Sequence, residues 1–414
     1  MQATADKATP SEIYVGRQPI FDRELSVYGY ELLYRESAEA TQCRLDTQTA
    51  FAVVMANAVL DFGLDTLTRG APAFINCCSS AWSDELFDLF PKDKVVLEVL
   101  EDVPVDGELE RILRRAKESG YVIALDDVVS IEKYIPLLPW VDIVKLELPA
   151  LSEDKLIDVV GQLKGYDVKI LAEKVETQEE FERVKDLGCD YFQGFFFARP
   201  KTITGKKLPS AHLQTLQILN DLSDEDADID EIAAKVAGDV AMSVRILRYA
   251  NSAAVGCRTE LTSIQRAIAM IGFNQIRKWA QVIVMSGLAT NKPSELLFTA
   301  LMRARFCELV ASRGREAHPQ AFTVGLLSLL DALLDQPLET TFAELSLSDE
   351  LEAAILNGDG PLGHSLSIAR AYENFDWEKI GQLAPDETEI STHLSDWFVS
   401  SMTQAQEFYS VANS

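Results

Sequence analysis

The first half of the chain alternates short apolar runs with amphipathic segments. Between residues 13 and 200, runs such as KVVLEVLE (94–101) and YVIALDD (121–127) are separated by stretches whose apolar residues recur every three or four positions. The runs predict buried strands, and the stretches between them predict helices that bury one face. About seven or eight such units predict an α/β, TIM-like barrel with a parallel sheet.

The pattern changes after about residue 204. From there on, apolar residues follow helical spacing and the strand-like runs disappear. Asp228 and Asp239 stand where helix N-caps are expected, and Gly256 and Gly272 where helices should end. We therefore predict an all-α second domain at 204–414, after a flexible tail at 1–12 and a barrel domain at 13–203.

Composition and charge narrow the class of protein. Hydrophobic residues make up 47% and charged residues 25% of the chain, as in ordinary globular proteins. The first residues are polar, no apolar stretch reaches the roughly 20 residues of a membrane span, and the six cysteines show no metal-binding spacing. A soluble cytoplasmic protein is expected. The net charge of −27, shared by both halves, disfavours binding to nucleic acid or anionic membranes.

Polar side chains cluster where the predicted strands of the first half end. Because strand C-termini converge on one face of a parallel barrel, these side chains should share one mouth. So many acids would repel one another unless divalent cations lie between them, and oxygen ligands favour Mg²⁺, Mn²⁺ or Ca²⁺. Taken singly, each acid is also explained as a solvated strand end or a helix cap. The residues are Glu31, Asn76, Glu98, Asp126, Asp127, Lys145, Glu147, Glu173 and Gln193.

Short motifs follow one another in a fixed order at these strand ends. They are QPI (18–20), GYELLYR (29–35), Asn76, LEVLE (97–101), the pair Asp126–Asp127, KLE (145–147), AEKVET (172–177) and QGF (193–195). Each motif alone is weak, but their common order resembles the EAL-domain cyclic di-GMP phosphodiesterases over residues 13–200. The resemblance implies that cyclic di-GMP is the ligand.

The resemblance also implies a metal centre built from the matching positions. Glu31, Asn76, Glu98 and Asp126 would hold one divalent ion, and Asp127 would help to hold a second. Mg²⁺ or Mn²⁺ would be the cofactor. Two bridged cations would lower the pKa of a shared water and neutralise a phosphodiester during in-line displacement, opening cyclic di-GMP to the linear dinucleotide.

Further roles follow from the same resemblance. Lys145 and Glu173 would lie around the attacking water, and Gln193 would complete this catalytic set. Gln18 and Arg35 would contact the nucleotide. These roles are implied by the resemblance alone, through the matching positions in the motifs.

Three positions depart from the family pattern. The family follows its paired aspartates with a glycine-rich loop, whereas here Asp127 runs into the segment VVSIEK (128–133). Glu147 stands where the family has Asp, and Lys174 where it has Gly. Three hypotheses therefore stay open: a slow or conditional phosphodiesterase, a nucleotide sensor that does not hydrolyse its ligand, and a catalytically inactive protein-interaction scaffold.

Two segments of the second half carry a separate resemblance. The runs DVAMSVRILRYANSA (239–253) and TSIQRAIAMIG (262–272) resemble the HDOD domain, a relative of HD-type phosphohydrolases that usually lacks their metal ligands. Ser328 and Leu329 stand where the His-Asp pair of those enzymes is expected. The pairing resembles bacterial EAL–HDOD signalling proteins, which implies a protein partner bound through the HDOD domain and allows a homodimer.

Overall fold

A computed structural model describes most of the 414 residues. The chain divides into two compact units, one of residues 1–196 with 391–395 and the other of residues 197–390 with 396–414. The tail expected at 1–12 and residues 201–209, which contain the expected domain boundary, lie outside the described residues. The described residues are 14–35, 63–77, 82, 90–200, 210–224, 227–251, 255, 260–313, 318, 320–345, 347–384 and 388–412.

Eight strands form a closed barrel in the first unit, which confirms the barrel predicted from the alternating pattern. The strands are β1 (Tyr14–Phe21), β2 (Val27–Arg35), β3 (Ala73–Cys77), β4 (Val95–Val99), β5 (Val122–Leu125), β6 (Ile143–Glu147), β7 (Lys169–Glu173) and β8 (Tyr191–Gln193). β1 is antiparallel to both of its neighbours, β2 and β8. The other strands run parallel, so their C-terminal ends open on one mouth.

Amphipathic helices connect the parallel strands. The α-helices described in this unit are α1 (Leu64–Thr68), α2 (Gly107–Ser119), α3 (Glu153–Leu163) and α4 (Gln178–Leu187). Asp106 begins α2 by accepting from the backbone N–H groups of Glu108 and Leu109. Thr177 and Glu180 form a reciprocal capping box at α4. These caps satisfy N–H groups at the helix starts, which lie after the strand ends.

An apolar layer supports the polar mouth of the barrel. Side chains two positions apart on a strand point to the same face. On four strands, a buried apolar residue is followed two positions later by a polar residue of the candidate site. The pairs are Phe74 and Asn76, Val96 and Glu98, Ile143 and Lys145, and Leu171 and Glu173. The polar residues therefore form the layer above the apolar core.

The second unit is helical throughout its described residues, as predicted. Its helices are α5 (Ser210–Ser223), α6 (Ile229–Gly238), α7 (Val240–Ala250), α8 (Ile264–Ile271), α9 (Phe273–Leu288), α10 (Ser294–Ser312), α11 (Ala321–Leu327), α12 (Leu330–Leu334), α13 (Leu338–Glu344), α14 (Asp349–Asn357), α15 (Gly360–Glu373), α16 (Trp377–Leu383) and α17 (Thr388–Ala412). In the part of the chain that is described, none of the helices has the length and apolar character needed to cross a membrane.

A buried ion pair joins α10 to α15 in this unit. Arg303 donates through Nε to Glu373 Oε1 at 3.0 Å and through Nη2 to Glu373 Oε2 at 2.6 Å. Arg303 Nη1 also donates to Ser328 Oγ at 2.9 Å, and Ser328 donates to the carbonyl of Gly325 at 2.8 Å. Ser328, which stands at the position expected for the His-Asp pair of HD-type enzymes, is thus hydrogen-bonded within this buried network.

We expect Arg303→Met to destabilise the second unit by roughly 3–5 kcal/mol, because it leaves the buried carboxylate of Glu373 without its partner. Hydrogen exchange of the α10 and α15 amides in the full chain measures the change. Lys235→Met is the matched control, since Lys235 pairs with Asp221 at the surface and its loss should change stability by no more than about 1 kcal/mol. Equal effects of the two substitutions would contradict the structural role of Arg303.

Candidate functional site

A buried lysine ammonium lies at the centre of the barrel mouth. Lys145 on β6 is 1% exposed. Its Nζ lies 2.7 Å from Glu98 Oε1, 2.7 Å from Asp126 Oδ1 and 3.0 Å from Glu173 Oε1. Glu31 Oε2 is a fourth neighbour, at 3.4 Å. Four carboxylates from different parts of the barrel thus surround one positive charge.

Amide side chains hold Glu31 at one edge of this cluster. Asn76 Nδ2 donates to Glu31 Oε1 at 2.9 Å, and Gln193 Nε2 donates to Glu31 Oε2 at 2.7 Å. Gln193 Nε2 also donates to Gln18 Oε1 at 2.9 Å, and Gln18 is the register partner of Glu31 across β1 and β2. Burial raises the pKa of Glu31, but Lys145 and the two amide hydrogen bonds outweigh it, so that this pKa lies below its ordinary value.

Burial and repulsion act in the opposite direction on other members of the cluster. Burial raises the pKa of Glu173 to about 8, with Asp126 and Glu31 adding to the rise and Lys145 opposing it. Burial also holds the pKa of Glu98 well above its ordinary value. Burial lowers the pKa of Lys145, but the surrounding carboxylates outweigh it and raise this pKa well above the usual range. The lysine therefore remains charged, and without a cation Glu173 retains a proton near neutral pH.

Several buried oxygens of the cluster fit a hard cation. Asn76 Oδ1, Glu98 Oε2, Glu173 Oε2 and Gln193 Oε1 have no hydrogen-bond partner within the described residues. Buried polar atoms without partners are rare in folded proteins and call for a ligand or water. One ammonium offsets only one of four carboxylate charges. An excess of negative charge on oxygen donors suits Mg²⁺, Mn²⁺ or Ca²⁺.

A second group of acids adjoins the first. Carboxylate oxygens of Glu101, Asp126 and Asp127 lie within 4.8 Å of one another. Asp127 has a positive φ of 45°, and burial raises its pKa to about 6, with further contributions from Asp126 and Glu147. Asp126 belongs to both groups and links them.

Two of the departures from the EAL pattern contact each other. Glu147 ends β6 and Lys174 follows the last residue of β7, and Lys174 Nζ lies 2.6 Å from Glu147 Oε1. Burial lowers the pKa of Lys174, but Glu147, Asp127 and Glu173 outweigh it and raise this pKa above its ordinary value. The substitutions therefore form an ion pair beside the acidic mouth.

A glycine lets the end of β8 approach the end of β7. Gly194 has a φ of 145°, and a Cβ atom there would lie 2.1 Å from the carbonyl oxygen of Val175. The N–H of Val175 donates to the carbonyl of Gln193 at 2.9 Å. No other residue type fits position 194 without a backbone shift, and the close approach positions Gln193 at the mouth.

Comparison of the sequence with known proteins shows the family of this chain. The EAL domain model matches residues 77–200, and the HDOD domain model matches residues 208–345. A protein named cyclic di-GMP phosphodiesterase CdgJ, from Vibrio cholerae, is 32% identical over 374 residues, which cover 89% of this chain and 87% of CdgJ. The chain belongs to the EAL–HDOD family.

Two further similarities accompany this assignment. The protein YuxH of Bacillus subtilis is 31% identical to this EAL–HDOD protein over 380 residues, covering 90% of the present chain and 93% of YuxH. The structure of Bacillus subtilis YkuI, a protein with an EAL domain in complex with cyclic di-GMP and calcium, is 18% identical, with a TM-score of 0.39. The matched region covers 62% of this chain and 71% of YkuI.

The EAL–HDOD barrel brings the sequence-predicted site residues together wherever their side chains are described. Arg35 is in β2, but its side chain lies outside the described part, so its contact with a nucleotide stays a prediction. Glu101 is the residue that sequence reasoning missed. It lies in the motif LEVLE three positions after Glu98. No spacing rule brings it to Asp127, because the two follow different strands.

We expect the metal-free EAL–HDOD protein to lose stability as the pH rises from about 4.5 to about 8. The pKa of Glu173 is about 8 in the folded chain and 4.5 as the ordinary value, so the folded state holds an extra proton between these values. Stability falls across this interval by an amount on the order of a few kcal/mol, because the unfolded chain has already released the proton that the folded chain holds. Thermal unfolding of EDTA-treated protein measures the slope, and Glu173→Gln should flatten it. The same slope in both proteins would exclude Glu173 as its source.

Proposed function

We propose that this protein acts in cyclic di-GMP signalling through a barrel that binds the dinucleotide with a divalent cation. The barrel opens one phosphodiester bond, slowly or under control of the second unit. The observation that carries the proposal is the convergence of four carboxylates on the mouth, with buried oxygens that lack partners among the described residues. Kinship with CdgJ, a protein named for this activity, supports it.

The residues present suit one bound divalent cation with oxygen ligands. Glu31, Asn76, Glu98 and Asp126 would hold it, since each offers an oxygen ligand and lies in or next to the cluster around Lys145. Mg²⁺ and Mn²⁺ both accept such ligands. A bound divalent ion supplies charge neutralisation for the phosphodiester and a water of lowered pKa.

Glu173 is the proton acceptor in this proposal. Its Oε1 lies 3.0 Å from the ammonium of Lys145, and its Oε2 has no partner among described residues and so is the atom that receives the proton of water. Lys145 holds its own proton and therefore orients Glu173 and stabilises negative charge instead of acting as a base. The water oxygen bonds to phosphorus as the phosphorus–oxygen bond to the ribose breaks, and the departing ribose oxygen takes a proton from solvent, giving the linear dinucleotide.

Substitutions in the cluster should separate binding from hydrolysis. Glu98→Gln removes a charged ligand, so Mn²⁺ binding and hydrolysis should both be lost. Glu173→Gln should leave nucleotide binding in place and lower hydrolysis by about 10²–10⁴-fold, since it removes a proton acceptor. Titration calorimetry with cyclic di-GMP and product analysis in Mg²⁺ and in Mn²⁺ provide both readouts. Glu153→Gln, a surface change on α3, is the control.

The same measurements decide among the three hypotheses. Binding by the wild-type chain without product would identify a nucleotide sensor. No binding at high micromolar nucleotide with either ion would overturn the proposal and leave a protein-interaction scaffold.

We infer that the second unit transmits or controls the signal through a protein partner. Apolar side chains are exposed at Val240 and Val244, one turn apart on α7, and at Met270 on α8. Exposed apolar side chains one turn apart on a helix, such as Val240 and Val244, are typical of interaction surfaces. A homodimer and a cytoplasmic location belong to the same proposal.

A chain ending at residue 203 tests this control. If the helical unit regulates the barrel, the truncated protein should hydrolyse or bind cyclic di-GMP to a different extent from the full chain, with far-UV circular dichroism to verify folding. Light scattering of both proteins reports their oligomeric state. If the two proteins had equal activity, equal affinity and the same oligomeric state, regulation by the second unit would be ruled out.

A further inference from the structure

The acidic mouth carries a second positive charge besides that of Lys145, on a lysine paired to Glu147 and largely exposed to solvent. Lys174 Nζ lies 2.6 Å from Glu147 Oε1, at the adjoining ends of β7 and β6. The register of these strands places Glu147 opposite Glu173, so the ion pair lies directly beside a member of the buried cluster. Asp127 and Glu173 both act electrostatically on the same ammonium.

The backbone at Lys174 is unfavourable for a lysine. Its φ is 55°, in the left-handed region that glycine adopts without a steric penalty and that residues with a Cβ atom adopt at a steric cost. The EAL pattern has Gly at this position. The chain therefore has a strained residue where glycine would be more stable. What lysine adds at this position, and glycine lacks, is a charged side chain.

The charge of this side chain falls where a second cation would otherwise be needed. Glu101, Asp126 and Asp127 form the group of oxygens adjoining the main cluster, and Glu147 raises the negative charge near Asp127. An ammonium paired to Glu147 offsets part of that charge and repels another cation. It also engages the Glu147 carboxylate, which is then less available as a ligand.

We propose that the Lys174 ammonium takes the place of a second divalent cation beside Asp127, so that the barrel holds one ion per chain. The proposal rests on the proposed function, because it concerns the same site. It replaces the second ion that the family resemblance implied at Asp127. A site with one ion and an ammonium would neutralise a phosphodiester less completely than two ions, so turnover would be slow.

Counting bound Mn²⁺ in the full-length protein tests the proposal directly. After dialysis to saturation, elemental analysis should find one Mn²⁺ per wild-type chain and two per Lys174→Met chain, which keeps the aliphatic stem and removes the charge. Magnetic coupling between two Mn²⁺ ions in electron paramagnetic resonance should appear only in the variant. Neither readout depends on activity.

Two further variants guard against a trivial result. Lys169→Met is the matched control, because Lys169 begins the same strand, pairs with Asp190 at 2.9 Å and has a side chain 60% exposed against 59% for Lys174. It should bind one ion. Lys174→Gly relieves the strained φ and removes the charge, so it should bind two ions even if the methionine variant folds poorly.

Each outcome bears on the proposal. Two ions in the wild type, or one ion in both Lys174 variants, would overturn it and leave the proposed function intact. No ion in any of the proteins would overturn this proposal together with the metal-dependent function. One ion in the wild type and two in both Lys174 variants would support it.

Discussion

The repulsion among four buried carboxylates at the barrel mouth is the constraint on which the rest depends. Burial makes each negative charge expensive, and one ammonium, that of Lys145, lies within 3.4 Å of all four acids. The consequence is a site that retains protons when no cation is bound and favours a cation when those protons leave. Binding, acid–base behaviour and stability are therefore linked through the same few side chains.

The barrel withstands this repulsion because the layer beneath it is apolar and closely packed. Four strands place a buried aliphatic or aromatic side chain two residues before the polar one, so hydrophobic burial offsets the unfavourable electrostatics of the mouth. Closing the strands into a ring fixes the distance between acids. Gly194 contributes by letting the end of β8 lie against Val175, which brings Gln193 to Glu31.

Buried positively charged side chains have different roles in the two units. Arg303 meets one carboxylate with two-pronged geometry and donates its remaining contact to Ser328, so charges and hydrogen bonds are matched. Such a matched pair is structural. Lys145 instead faces more negative charge than it can offset, and several nearby oxygens keep no partner among the described residues. That imbalance marks the barrel mouth as a site for a ligand.

The sequence alone determined the elements and much of the site. Short apolar runs predict the strands and a period of about 3.6 residues predicts the helices, and the motif order assigned Glu31, Asn76, Glu98, Asp126, Lys145, Glu173 and Gln193 to one mouth. Only the tertiary structure decided that Lys145 is the centre of the cluster, that Glu101 joins Asp127, and that Glu147 pairs with Lys174. Those contacts join residues from separate strands, and distances across a barrel depend on register and closure, which no local pattern encodes.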